Sequence, residues 1–469
     1  MVFNSLAFFV FLAICLAVYR ILPHRAQNLF LLAASYFFYG AWDWRFLGLL
    51  LFSTVFDWTI ALQLGATQDP RRRRWVVGAS IVTSLSLLGY FKYAGFFADS
   101  LSRLMSQVGV SLRPFELDVV LPVGISFYTF QTMSYVIDVY RGRIAPARNL
   151  FDFALYVAFF PQLVAGPIGR AGEILPQVTA PRTQTLEKFW TGAWLILWGL
   201  FKKVVIGDNL AWLVDGVYSD AAHPTGLEVL MASWAFGIQA YCDFSGYSDI
   251  ARGTARLFGF ELMVNFRLPY FTTNVGAFWT HWHISLSSWL RDYVYIPLGG
   301  NRRRQYRNLF LTMVLCGLWH GAGLTFVLFG AYHGFVVALH RRFAWVFERL
   351  TPSGTFARRA WTLLSVAVSF QVITLGWPLF RASSISRSGE LFRALFTDPT
   401  PGLVREWCLP FAVLCLPLLA IQLVQWWTDD LEPVARFPFP LRVVLYGALA
   451  AGIVLLGEDG GAPFIYFQF

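Results

Sequence analysis

The feature that most constrains this chain is where its charges are missing. Apolar runs of near-bilayer length follow one another near 3–20, 28–42, 45–65, 75–97, 114–138, 151–168, 186–206, 226–242, 308–339, 360–380, 408–427 and 440–457. A run of about 18 or more apolar residues with few charges reads as a helix that crosses a bilayer. The pattern predicts an all-α polytopic membrane protein with about a dozen membrane segments. The polar breaks are short and hold no soluble domain, low-complexity tract or fixed-period repeat, so 1–469 reads as a single integral membrane domain. Composition excludes the soluble alternative. Only 14% of residues are charged and 57% are hydrophobic, against about 25% charged in soluble domains. Met1–Arg20 lacks a basic leader and a small-residue cleavage site, so it is expected to remain as a first span.

The net charge of +10 does not point to nucleic acid, because the basic residues sit at the ends of apolar runs: Arg71–Arg74, Arg302–Arg304 with Arg307, and Arg341–Arg342. Basic loops are retained on the cytoplasmic side, and they also attract anionic lipid headgroups. With Arg71–Arg74 inside, counting back three spans puts the N-terminus outside and the His24–Arg25 loop inside. This implies a multi-pass membrane protein with its basic loops on the cytoplasmic side. The five cysteines, Cys15, Cys242, Cys316, Cys408 and Cys415, lie in or beside apolar runs without a CxxC pair. They read as small buried residues, not as a disulfide framework or zinc site.

Two stretches break the pattern. Residues 243–307 contain no clean spanning run but many aromatics, among them Phe266, Tyr270, Trp279, Trp282, Trp289 and Tyr293. Such a mixture predicts short interfacial or re-entrant helices, which at membrane depth must be buried in protein or line a cavity. The run 308–339 would measure about 48 Å as one helix, against a hydrocarbon core of about 30 Å. Gly321-Ala-Gly323 lies in its middle. Either the helix tilts strongly or it breaks there into a hairpin.

Ionisable groups inside membrane segments are costly and are functional candidates by default. His320, in Cys316-Gly-Leu-Trp-His-Gly-Ala-Gly323, lies near mid-membrane by helical rise. A histidine with some water access there suits a general base; a histidine hydrogen-bonded between helices fits equally well. Gly317 and Gly321 form a GxxxG pair that lets a neighbouring backbone approach. His283 lies in the aromatic stretch, where a structural role is the simpler reading, and His281 points away from it on a helix. His333 cannot share a site with His320 unless the helix breaks between them. His24, His223 and His340 read as solvated. The chain has no HExxH zinc motif, GxSxG elbow, phosphate-binding glycine loop, HxxxxD pattern, or dinucleotide or haem signature.

Several blocks, in order, carry a resemblance: Phe159-Phe-Pro-Gln-Leu-Val-Ala-Gly-Pro-Ile168, Asp243-Phe-Ser-Gly-Tyr-Ser-Asp249, Leu257-Phe-Gly-Phe260, Trp282-His-Ile-Ser-Leu-Ser287, Arg291-Asp-Tyr-Val-Tyr-Ile-Pro-Leu-Gly-Gly-Asn-Arg302, Leu318-Trp-His-Gly321 and Pro463-Phe-Ile-Tyr-Phe-Gln-Phe469. Together they resemble the membrane-bound O-acyltransferase family, in the bacterial branch of alginate O-acetyltransferase membrane subunits and teichoic acid D-alanyl transferases. The resemblance implies a ring of tilted helices around a central tunnel, with residues 243–340 as the tunnel-lining core. It places the family's near-invariant histidine on His320 and its second histidine on His283. Trp319, Ser285, Trp289, Arg291 and Asp292 are then expected along the substrate channel, although a structural ion pair explains Arg291 and Asp292 at least as well. His281 stands where this branch often has arginine, so no role is carried to it.

The activity implied is acyl transfer across the membrane. An acyl thioester, acetyl-CoA or an acyl carrier, is the donor, with no bound cofactor or metal. The acceptor is an exopolysaccharide of alginate type, reached directly or through an extracytoplasmic serine-esterase-like partner, with membrane lipids as surroundings. The alternatives are O-acylation of peptidoglycan, D-alanyl transfer to teichoic acid, or a secondary transporter, which would also explain intramembrane histidine and broken helices. A non-catalytic lipid-binding scaffold is the remaining class.

Overall fold

A computed structural model describes residues 1–110, 120–164, 166–458 and 464. The start of the 114–138 run, Ala165 of the Phe159–Ile168 block, and the terminal 463–469 block apart from Phe464 lie outside these residues. All regular elements among the described residues are helical. Seven helical stretches among the described residues are long and apolar enough to cross a membrane: His24–Ala66, Pro70–Gln107, Leu186–Tyr218, Leu324–Arg342, Thr355–Arg381, Val404–Thr428 and Phe439–Leu456. The difference from about a dozen has two causes. Some neighbouring runs count as one long apolar stretch: His24–Ala66 comprises the helices His24–Asp43 and Leu47–Ala66, linked by the 3-10 turn Trp44–Phe46. Others fall short in length, as Leu6–Ile21 does with 16 residues.

The chain forms two compact units, Met1–Ala193 with Ile250–Met263, and Trp194–Asp249 with Val264–Phe469. In the first unit, helices begin at side-chain caps. Ser5 accepts from the Phe8 N–H, Asp69 from Arg71 with Pro70 behind it, and Asn149 from Phe151 and Asp152. These are the residues that satisfy otherwise orphaned amides. Within the basic run 71–74, Arg73 has a structural task. It donates to Thr67 O at 3.1 Å and Tyr140 O at 2.8 Å, and also to Leu64 O, binding the C-terminal carbonyls of two helices. Tyr19 Oη donates to Phe258 O at 2.8 Å and accepts from Arg182 Nε at 2.8 Å, while the guanidinium lies 4.5 Å over the Phe260 ring.

In the second unit a π-helical segment, Phe201–Gly207, carries two buried lysines. Lys203 Nζ lies 2.7 Å from Asp208 Oδ1 and 2.6 Å from Asp243 Oδ1. Lys202 Nζ bonds Ser245 Oγ and Asp249 Oδ2, each at 2.8 Å. These pairs explain why the helix begun at Gly226 does not stop at residue 242, where the apolar run ends, but continues to Leu257. The acids that interrupt the hydropathy are neutralised from within. The expected broken stretch therefore starts later, with the short helices Pro269–Phe271, Val275–His281 and Ile284–Leu290 and the π turn Arg291–Tyr295.

The run 308–339 breaks. One leg, Gln305–His320, ends at an extended Gly321; the second, Leu324–Arg342, starts after an extended Gly323. The legs fold back on each other through glycine. A Cβ on Gly317 would overlap the Phe326 carbonyl oxygen, one on Gly330 would overlap that of Met313, and one on Gly334 would lie 3.1 Å from Phe310 Cα. Before the first leg, Gly299 (φ 114°) and Gly300 (φ 51°) turn in conformations that favour glycine. Asn308, fully buried, holds that turn by donating to Gly300 O at 3.1 Å and Arg303 O at 2.7 Å.

Two outcomes follow from this packing. Gly317→Val forces a side chain against rigid backbone and should destabilise the protein by about 3 kcal/mol or more. Gly354→Ala, with nothing within 4 Å of its Cβ, should be neutral; thermal unfolding in detergent compares the two. Lys203→Met strands Asp208 and Asp243 and should cost about 3–5 kcal/mol. Adding Asp208→Asn and Asp243→Asn should recover most of that loss in the same assay.

Candidate active site

The Trp282–Ser287 block folds as a junction between two short helices. Trp282 N–H donates to Phe278 O at 2.8 Å, closing the first helix, and Ser287 N–H donates to His283 O at 2.9 Å, opening the second. His283 takes left-handed backbone angles, φ 44° and ψ 55°. That conformation costs a histidine about 1–3 kcal/mol and persists only where the surroundings over-determine it. Asn265 supplies much of that constraint. Its carbonyl oxygen accepts from Ile284 N–H at 2.9 Å, its side-chain oxygen accepts from Ser285 N–H at 3.2 Å, and its amide donates to Ser248 Oγ at 3.2 Å.

His320 arrives from the other side as the last residue of the first hairpin leg. Both imidazoles are buried, with 1% and 3% exposure for His283 and His320, and their ring centroids are 6.4 Å apart. Aromatic rings enclose them. Phe244 meets His283 edge-on at 4.6 Å, and Trp319 touches His283 at 5.4 Å and His320 at 5.1 Å. Phe380 lies 5.4 Å and Phe329 6.3 Å from His320. Cys316 Sγ is 3.9 Å from His320 Nε2. Beside His320 is a void of about 10 Å³ lined by Trp279, Trp282, Phe329, Trp377 and Phe380, room for about one water. Burial, reinforced by neighbouring His320, holds the His283 imidazole well below its ordinary value, so it is neutral near pH 7. The arrangement supplies a pair of imidazoles in dry surroundings, fit to take, hold or donate a proton.

The remaining expected residues divide. Trp319 touches both histidines. Ser285 is fully buried one residue beyond Ile284, and its hydroxyl has no hydrogen-bond partner among the described residues. Trp289 is buried and packs against Tyr293, the rings tilted and 5.0 Å apart. Arg291 and Asp292 form an ion pair of 2.8 Å with Arg291 at 62% exposure, away from the enclosed rings. His281 bonds locally to Thr280 Oγ1 and Ala277 O. His333 changes its standing. Because the helix breaks, Phe329 touches both His333, at 4.5 Å, and His320, and Trp279 touches His333 at 5.0 Å. His333 therefore belongs to the same aromatic cluster and is not a remote residue of one long helix. Asn265, Phe329 and Phe380 carried no motif of their own in the sequence, and Phe244 lay in the Asp243–Asp249 block without a role assigned to it. The nearest signal was the density of aromatics around 243–307. Among the described residues no group of three His, Cys, Asp or Glu side chains converges as metal ligands would.

Comparison with known proteins agrees in extent and in kind. The profile of the membrane-bound O-acyltransferase family matches residues 145–375, which include both buried histidines and His333. A probable alginate O-acetylase of Pseudomonas aeruginosa is 44% identical over 407 residues, covering 85% of this chain and 76% of its own. Its counterpart in Pseudomonas putida is 39% identical over 501 aligned positions, covering 100% of both chains. A peptidoglycan O-acetyltransferase of Helicobacter pylori is 35% identical, covering 84% of this chain and 80% of its own. At these identities over most of its length, the chain belongs to the membrane-bound O-acyltransferase family.

Proposed function

We propose that this enzyme moves acetyl groups from a cytoplasmic thioester donor to hydroxyls of an alginate-like exopolysaccharide. The observation that carries the reading is the pair of buried imidazoles, brought from separate elements into one aromatic enclosure. His320 acts as general base on the incoming hydroxyl. The hydroxyl oxygen attacks the thioester carbonyl, the C–O bond forms, the C–S bond breaks, and the proton on His320 passes to the departing thiolate. His283, neutral and fixed by Asn265, orients a reactant through a hydrogen bond. Ser285 and Trp319 line the path beside it, and Trp289, Arg291 and Asp292 lie toward its mouth. The void of about 10 Å³ is too small for the reactants, so binding requires the Phe329, Trp377 and Phe380 rings to part. That opening forms the tunnel, within a ring of tilted helices that includes segments beyond the seven long ones.

In this reading the N-terminus faces outward from a bacterial inner membrane and the basic loops face the donor. Where a serine-esterase-like partner outside takes part, the incoming hydroxyl is the partner's serine, and the partner then delivers the acetyl group to the polymer. Peptidoglycan as acceptor is the second reading, favoured by the similarity to the Helicobacter pylori enzyme.

His320→Ala should lower ester-linked acetate on surface polymer by about 10²–10⁴-fold, the usual worth of a general base, at normal membrane levels. His223→Ala, at an exposed position, should leave it unchanged. Acetate assayed separately on exopolysaccharide and on peptidoglycan decides between acceptors, and unchanged acetate on both would refute the assignment of His320. A pH series tests His283. Its folded value is depressed below the unfolded one, so its contribution to stability is present above about pH 6.5 and is lost as pH falls. Thermal stability in detergent should therefore decline from about pH 6.5 downward, and His283→Gln should flatten that acid limb.

A further inference from the structure

We propose that a groove between the second hairpin leg and the Thr355–Thr374 helix holds the acyl chains of an anionic phospholipid, with its phosphate held by arginines at the groove's end. The groove has a volume of about 740 Å³, within the range of about 300–1,000 Å³ usual for ligand pockets. Val336 and Leu339 form one wall, Leu364, Val368 and Val372 the other, and Phe343 closes one end. Both walls are helices of membrane-crossing length and hydropathy. Leu339, Leu364 and Val368 are 45%, 55% and 53% exposed. Apolar surface open on such helices faces hydrocarbon, so the occupant must be something dissolved in the bilayer.

The charge at one end selects among lipids. The facing ends of the two wall helices and the chain between them carry Arg341, Arg342, Arg349, Arg358 and Arg359 against a single acid, Glu348; Glu348 lines the groove, and the arginines stand just outside its lining, Arg342 against the lining residue Phe343. All five arginines are exposed, and none is paired with an acid among the described residues. Two of them rest on aromatic faces, Arg349 over Trp345 at 5.0 Å and Arg342 over Phe343 at 5.9 Å. His340, in the groove lining, stacks on Phe347 at 5.2 Å. Guanidinium groups bind phosphate with a planar fork, and a basic cluster at the membrane surface attracts anionic headgroups. An acidic protein could meet the arginines from water, but it would leave the apolar walls unfilled.

The groove shares two elements with the candidate site. Val275 lines it at the start of the helix that carries Trp279 and His281. Val336 lies one turn beyond His333 on the second leg. A bound lipid therefore braces two of the helices whose rings enclose His320, those of Trp279 and Phe329. This inference rests on the fold and not on the identity of the acceptor, and its test reads binding directly.

Native mass spectrometry of the full chain in detergent would compare phosphatidylglycerol with phosphatidylcholine of the same chain composition. The expected result is retention of phosphatidylglycerol with a preference of roughly ten-fold. Arg358→Gln/Arg359→Gln should reduce that preference, and Ser365→Trp, which fills the groove, should abolish retention with the arginines intact. Circular dichroism checks that the variants keep their helix content, and Val368→Phe replaces Ser365→Trp if that variant does not fold. Equal retention of the two lipids, or phosphatidylglycerol held as well by the groove-filled variant, overturns the proposal. So does capture of an acidic carrier protein that Ser365→Trp leaves untouched while neither lipid is preferred, which would make the arginine surface a protein dock.

Discussion

A charge taken out of water must find its counter-charge inside the protein, and Lys203 finds two. Its ion pairs with Asp208 and Asp243 let a helix rich in acids run on through a region that hydropathy would have ended. The residue after Asp243 is Phe244, whose ring meets His283 edge-on. Two residues further, Gly246 lies so close to the Gly199 carbonyl that a Cβ would stand 2.7 Å from it. The cluster thus sets both the continuation of the helix and the position of one wall of the histidine enclosure. Pairing of this kind adds little net stability, since desolvation offsets most of the Coulomb gain. Its value lies in fixing which residues of the helix face the site.

The enclosure has a chemical logic of its own. A thioester is exposed to hydrolysis wherever water reaches it, and the proposed transfer needs the acceptor hydroxyl to be the only nucleophile present. Phe329, Trp377 and Phe380 leave space for about one water beside His320. Substituting protein groups for solvent also strengthens hydrogen bonds made to the reacting atoms. A histidine that is neutral at rest suits this setting, because it enters the reaction without a buried charge already in place.

Much of this was legible in the sequence, for definite physical reasons. Charge spacing gave the membrane class, since lipid tolerates few unpaired charges. Gly321-Ala-Gly323 marked where the long run could break, without deciding between a tilt and a hairpin, and the Leu318-Trp-His-Gly321 and Trp282-His-Ile-Ser-Leu-Ser287 blocks picked out the two histidines that the fold brings together. What escaped were properties created by pairing. Hydropathy weighs Asp243 and Asp249 as exposed charges and so ended a helix at 242 that continues to Leu257. The place of His333 hung on whether the helix broke. Distance along a straight helix separates it from His320, but a fold-back at the glycines places both against Phe329. Asn265 left no trace, because a single asparagine in an irregular stretch has no period to betray it.

The hairpin has one further consequence, for how the protein acquires its orientation. Its two legs are joined by three residues and locked at Gly317 and Gly330, so their far ends lie together, and in the proposed topology both face the same side of the membrane. Arg302–Arg304 and Arg307 stand at one end, and Arg341–Arg342 at the other. Each end therefore carries its own copy of the topological signal. Loss of either copy leaves the other to hold the segment in place, and the residue at the tip of the first leg, His320, inherits an orientation specified twice.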